Sequence, residues 1–155
     1  MLSIDTLVPG FNRALEAVPG AMQTARVLED SLDDGSLSPR TAALIRVAVA
    51  QSVGVPYARW AMGRIAARED VSAEDIFLAS CGSARDAVED RIVKSSSRMA
   101  ADGRRSHPAE FDSLAALLGE GRATEVVAQV ALAMLACEAL NAIAPATGKT
   151  VRRKA

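Results

Sequence analysis

Few side chains in this chain of 155 residues can carry chemistry, so their types and positions narrow the field quickly. The cysteines are Cys81 and Cys137, far apart in the chain, and the single histidine is His107. Two distant thiols with no Cys-x-x-Cys and no neighbouring histidine do not form a recognisable metal-ligand set. A structural disulfide between them is not expected in a reducing compartment. Cys81 directly precedes Gly82 and is the candidate for a lone redox thiol; the alternative is a small buried apolar residue, which is how most free cysteines behave. Cys137 closes the run Ala-Met-Leu-Ala-Cys and reads as packing. His107 lies between Ser106 and Pro108 at a helix start, which suits a cap or a solvated residue better than a general base.

The remaining polar handles fall around one stretch: Gln51, Tyr57, Trp60 and Arg64, with Asp75 further on. Tyr57 and Trp60 are three residues apart on one helical face, where they either pack in the core or line a small-ligand pocket. Arg64 shares that face and is placed to reach a bound carboxylate or to pair with Glu69 or Asp70. Arg59 falls on a different face and is expected in solvent or at a subunit contact.

The elements that must position these groups run from 38 to 68. Ser38 is an N-cap candidate and Pro39 suits the first helical position, where a missing N–H costs nothing. Leu44, Ile45, Val47, Ala48 and Val49 then make a helix apolar on nearly every side, which predicts a buried central helix. Gly54 ends it, Val55-Pro56-Tyr57-Ala58 turns the chain, and a second helix carries Tyr57, Trp60, Ala61, Arg64 and Ile65 at helical spacing. The spans expected for this antiparallel pair are about 40–53 and 57–68.

The stretch LIRVAVAQSVGVPYARWAMGRIAA resembles the core helical pair of the alkylhydroperoxidase D-like / carboxymuconolactone decarboxylase family. Thiol-dependent members carry a Glu, then twelve residues later Cys-x-x-Cys, then four residues later His, and often read Gly-Cys-Pro-Tyr-Cys. Gly54, Pro56 and Tyr57 set the register here, so those functional positions are Ala43, Val55, Ala58 and Met62. None of these side chains can ionise or exchange thiols, and no Cys or His lies between Leu37 and Cys81. Decarboxylase members use a His on the second helix, and that residue is missing too. Over roughly residues 10–145 the resemblance implies an all-α domain built on a central antiparallel pair, homo-oligomers such as trimers or hexamers, and no cofactor or metal. It implies a degenerate member without thiol peroxidase activity through the usual site, whose vacated positions either fill with neighbouring side chains or leave an apolar pocket for a small apolar or aromatic ligand, the pocket being favoured. The alternatives are an antioxidant, peroxidase-like oxidoreductase acting through Cys81, or an unknown reaction in the same pocket using Tyr57, Arg64, Gln51 and Asp75.

Composition agrees with an all-α class. Half the residues are hydrophobic but only 3% are aromatic, and Ala-rich, aromatic-poor cores favour closely packed helices. The net charge of −1 gives no general pull toward nucleic acid or anionic membrane, and the basic tail Arg152-Arg153-Lys154 is too short to bind nucleic acid alone. Apolar runs look interrupted short of a membrane span, and MLSIDTLVPG lacks the character of a signal peptide. A cytoplasmic protein of one domain, residues 1–155 with a loose basic tail from 145, is the expectation.

Seven or eight helices follow in order. The first two are expected at 5–18, with Leu7, Phe11, Leu15 and Val18 on a stripe, and from Pro19 to about Leu32. After the central pair, Ser72 and Asp75 approximate a capping box for a short helix ending near Gly82. A longer helix spans about 84–101, with Ala84, Val88, Ile92 and Met99 inward and Arg85, Asp86, Glu89 and Lys94 outward. Pro108 opens another, carrying Phe111, Leu114, Ala115 and Leu118 and ended by Gly119 and Gly121. Thr124 opens the last, with Val127, Val130, Ala131, Met134 and Leu135 as its apolar spacing and Asn141 near its end.

Overall fold

The computed structural model describes residue 23, residues 35–102 and residues 107–148, with side chains as far as 141. The expected helices at 5–18 and 19–32 lie outside the described residues, apart from Gln23, which is helical. Among the described residues the protein is all-helical, with α1 Pro39–Val53, α2 Pro56–Arg68, α3 Ala73–Ser80, α4 Ala87–Ala101, α5 Pro108–Leu118 and α6 Glu120–Gly148.

Helix α1 begins and ends where local chemistry dictates. The Ser38 hydroxyl oxygen accepts the Thr41 N–H at 3.0 Å, satisfying one of the amides a helix start leaves unpaired. At the other end Gly54 takes φ +82°, a left-handed conformation that a side chain would strain, and its N–H returns to the Ala50 carbonyl at 3.2 Å. All residues from Thr41 to Ala50 are buried, as expected of the central helix. The reason is its neighbours: α2, α3, α4 and α6 all pack against α1.

Helix α1 therefore divides the core. Ala43, Leu44, Val47, Ala48 and Ala50 join α2 and the Ala136–Leu140 end of α6 in one apolar cluster. Ile45 and Val49 join Ile92 and Met99 of α4, Leu114 of α5 and the Ala123–Ala133 stretch of α6 in the other.

Several helix bounds and faces differ from expectation. Helix α4 starts at Ala87, not 84, because Asp86 is its N-cap and accepts from the N–H groups of Val88 and Glu89 at 2.9 and 3.0 Å. Ala84 consequently precedes the helix, though it still packs against the first cluster, and Val88 faces solvent. Gly119 ends α5, but Gly121 is already inside α6, which opens at Glu120 rather than Thr124 and continues beyond Asn141 to Gly148. The part of the expected loose tail from 145 to 148 is thus helical.

The buried face of α6 is Ala123, Val126, Val130, Ala133, Ala136, Cys137 and Leu140; the expected inward residues Val127, Ala131 and Leu135 are exposed. Apolar residues surround this helix on nearly all sides, so periodicity could not choose the face. By length and apolarity alone Glu120–Asn141 would cross a membrane, against the expectation that no stretch qualifies. Its packing against α1, α2, α4 and α5 gives much of that apolar surface a place in the core.

Candidate functional site

The turn between α1 and α2 positions the four residues that the register singles out. Val55 is the N-cap of α2 and Ala58 lies in its first turn, while Met62 follows one turn later. A pair of thiols at these two positions would sit at a helix N-terminus, where unpaired N–H groups and the helix dipole favour thiolate. Ala43 meets them from α1. Ala43, Val55, Ala58 and Met62 are at most 8% exposed and belong to one buried cluster with Leu44, Val47, Ile65 and Leu140. Side chains of the fold fill this place, and every one of the four is apolar, so it offers neither nucleophile nor proton relay.

The polar handles expected around it point elsewhere. Gln51 and Arg64 are exposed, and Tyr57 is half-buried with its ring against the cluster. Trp60 is 54% exposed, so neither core packing nor the lining of an enclosed pocket describes it. Its indole stacks on Tyr57 with ring centroids 5.6 Å apart and planes 12° from parallel, a favourable offset arrangement. The buried side of α2 is taken by Ala58, Ala61, Met62, Ile65 and Ala66, which leaves Trp60 and Arg64 on the outer side. Arg64 makes no ion pair with Glu69, Asp70 or any other described residue. Arg59 is exposed as expected, with its guanidinium folded back beside Gly54 at the carbonyl end of α1.

No family model, curated protein or solved structure matches this chain.

Cys81 is the C-cap of α3 and is exposed, which corrects the alternative of a small buried residue. The turn holding it is a Schellman motif: the Gly82 N–H donates to the Ala79 carbonyl and the Ser83 N–H to the Leu78 carbonyl, each at 3.0 Å, with Gly82 at φ +76°. Cys137 is fully buried, and burial, aided by the Glu138 charge, pushes its thiol up to about 11. His107 does stand at the N-cap of α5, but without a capping bond, and it is half-buried rather than solvated. No group of His, Cys, Asp and Glu among the described residues is arranged to hold a metal.

Asp75 belongs to a polar network instead of the α1–α2 turn. Arg40 in the first turn of α1 donates to Asp75 at 3.0 Å and to Glu89 of α4 at 3.2 Å, and Thr41 donates to Glu89 at 3.2 Å. Arg85 approaches the other Asp75 oxygen at 3.3 Å and also pairs with Glu74. The Ser72 hydroxyl caps the Asp75 N–H and donates to its carboxylate at 2.7 Å, so the expected capping box is formed with the carboxylate held by the cap residue's hydroxyl. Hydrogen bonds from Arg40, then Ser72, hold the Asp75 carboxyl below the usual carboxylate range. The network joins the N-terminal ends of α1, α3 and α4. Sequence reading put Glu89 outward, because its partner is Arg40, far away in the chain and invisible to helical periodicity.

Proposed function

We propose that the chain is a degenerate member of the alkylhydroperoxidase D-like / carboxymuconolactone decarboxylase family that performs no thiol peroxidase chemistry at the usual place. The observation that carries this reading is the burial of Ala43, Val55, Ala58 and Met62 in one apolar cluster around an α1–α2 turn with the family's Gly-x-Pro-Tyr register. A packed cluster also argues against an apolar ligand pocket at those four positions, since well-packed interiors tolerate few voids. Self-association is part of the proposal, supported by Leu117, Leu135 and Phe77, which stand 48%, 55% and 65% exposed.

The test has two arms. Purified protein should show no dithiol- or lipoyl-dependent reduction of organic hydroperoxides. The Val55→Cys/Ala58→Cys variant should close a disulfide under mild oxidant, as expected for two thiols at an N-cap and first-turn pair; failure to do so would reject the register and the family reading with it. A second reading, peroxide reduction through Cys81, rests on the exposure of that thiol. It requires turnover that disappears in Cys81→Ser.

A further inference from the structure

The outer side of α2 combines cations with an exposed aromatic ring. From Pro56 to Arg68 the helix carries no acidic residue, whereas the whole chain has net charge −1. Tyr57, Trp60, Arg64 and Arg68 recur at spacings of three and four, so they lie along one stripe. Trp60, Arg64 and Arg68 are exposed, and neither guanidinium has an ion-pair partner among the described residues. Arg85, Arg91, Arg98 and Lys94, by contrast, are all paired with carboxylates.

We infer that this ledge binds single-stranded nucleic acid. Two features of the stripe select that partner. The indole of Trp60 is held in place by its stack on Tyr57 while 54% of the residue remains in water, which makes a preformed platform for a planar base. Arg64 and Arg68 are one turn apart, about 6 Å along the helix axis, and each offers a rigid fork that matches a phosphate. A ring followed by two charges along an open ledge suits a polymer of bases and phosphates, and no wall among the described residues encloses a free nucleotide there. The overall charge does not oppose this, because binding of phosphates depends on the local cluster. An anionic bilayer would also meet arginines and exposed aromatics, but it has no use for a tryptophan held parallel to a tyrosine.

Trp60 is the only tryptophan, so its fluorescence reports the ledge directly. A short oligothymidylate or oligoadenylate added at low salt should quench Trp60, while inorganic polyphosphate, which has charge and no bases, should not. Binding of a labelled oligonucleotide, followed by anisotropy, should weaken about 5- to 150-fold in Trp60→Ala, the range for loss of one base–aromatic stack. The logarithmic salt dependence should become shallower by about 1.4 in Arg64→Ala/Arg68→Ala, the value for two phosphate contacts to a single strand. Circular dichroism checks that these surface variants keep their helices. No quenching and no anisotropy change at low salt would overturn the inference. So would binding that both variants retain, or a blue shift of Trp60 on vesicles containing phosphatidylserine with no response to oligonucleotide.

Discussion

At the scale of residues, the four positions at the α1–α2 turn hold side chains that cannot ionise. A thiol site needs a thiolate with a base or cation to favour it, and the α1–α2 turn supplies Val55, Ala58 and Met62 packed against Ala43. The same packing makes these positions sensitive. Met62→Ala should cost about 2–5 kcal/mol through lost burial and the cavity left behind. Ala58→Leu should cost about 1–3 kcal/mol by overpacking, since Ala58 is fully buried. Urea unfolding followed by far-ultraviolet circular dichroism measures both. The two thiols should separate cleanly as well. Ellman's reagent at neutral pH should label one cysteine per native chain and none in Cys81→Ser, with Cys137 reacting only after denaturation because burial holds its thiol up at about 11.

At the scale of elements, α1 is the part everything else leans on. Its start is fixed twice: Ser38 caps it, and the Glu125 carboxylate of α6 accepts from the Leu37 N–H at 2.9 Å and the Ser36 N–H at 3.0 Å. Ser38→Ala should lower stability by about 0.5–2 kcal/mol, the usual loss for an N-cap. Glu125→Ala also releases two backbone amides at the α1–α6 junction. If the junction acts as one unit, the double variant will fall short of the sum of the singles in a double-mutant cycle. Gly54→Ala places a side chain at φ +82° and should cost roughly 1–2 kcal/mol, although there is room for the added methyl group beside Arg59.

For the molecule as a whole, the polar groups that join helices set its response to acid. Asp75, Asp90, Glu110 and Glu125 are all held below the usual carboxylate range. For Asp90 the causes are Lys94, then the Ser83 hydroxyl and the Ala84 N–H, and its carboxyl falls to about 2. At Glu125 burial opposes ionisation, but the Leu37 and Ser36 hydrogen bonds outweigh it. A carboxyl with a lowered folded-state value contributes stability above its unfolded value, near 4, and loses it as pH falls through the folded value. On account of these carboxyls, unfolding free energy should be flat from about pH 5 to about pH 8 and decline toward about pH 2, while above about pH 8 the raised Cys137 thiol lowers it. Asp90→Asn should remove part of that decline while changing little of its shape elsewhere.

Signals read within one turn of the chain were legible without a structure. Ser38 and Pro39, Gly54, Ser72 with Asp75, Gly82 and Gly119 all stand at helix ends, because capping depends on backbone groups a few residues away. The burial of α1 was legible too, since a helix apolar on every side has to be surrounded. That same property hid the inward face of α6, where Val126 and Val130 are buried while Val127 and Leu135 are not. Which side of an evenly apolar helix faces inward is settled by the helices that meet it, and α1, α2, α4 and α5 meet α6 on the Ala123–Leu140 side. Glu89 and Asp75 found their partner in Arg40 across long stretches of chain, which no local pattern encodes. Trp60 went outward for the same kind of reason. Small alanines at 58, 61 and 66 pack α2 closely into the core, and the large indole on the other side of the helix is left in water.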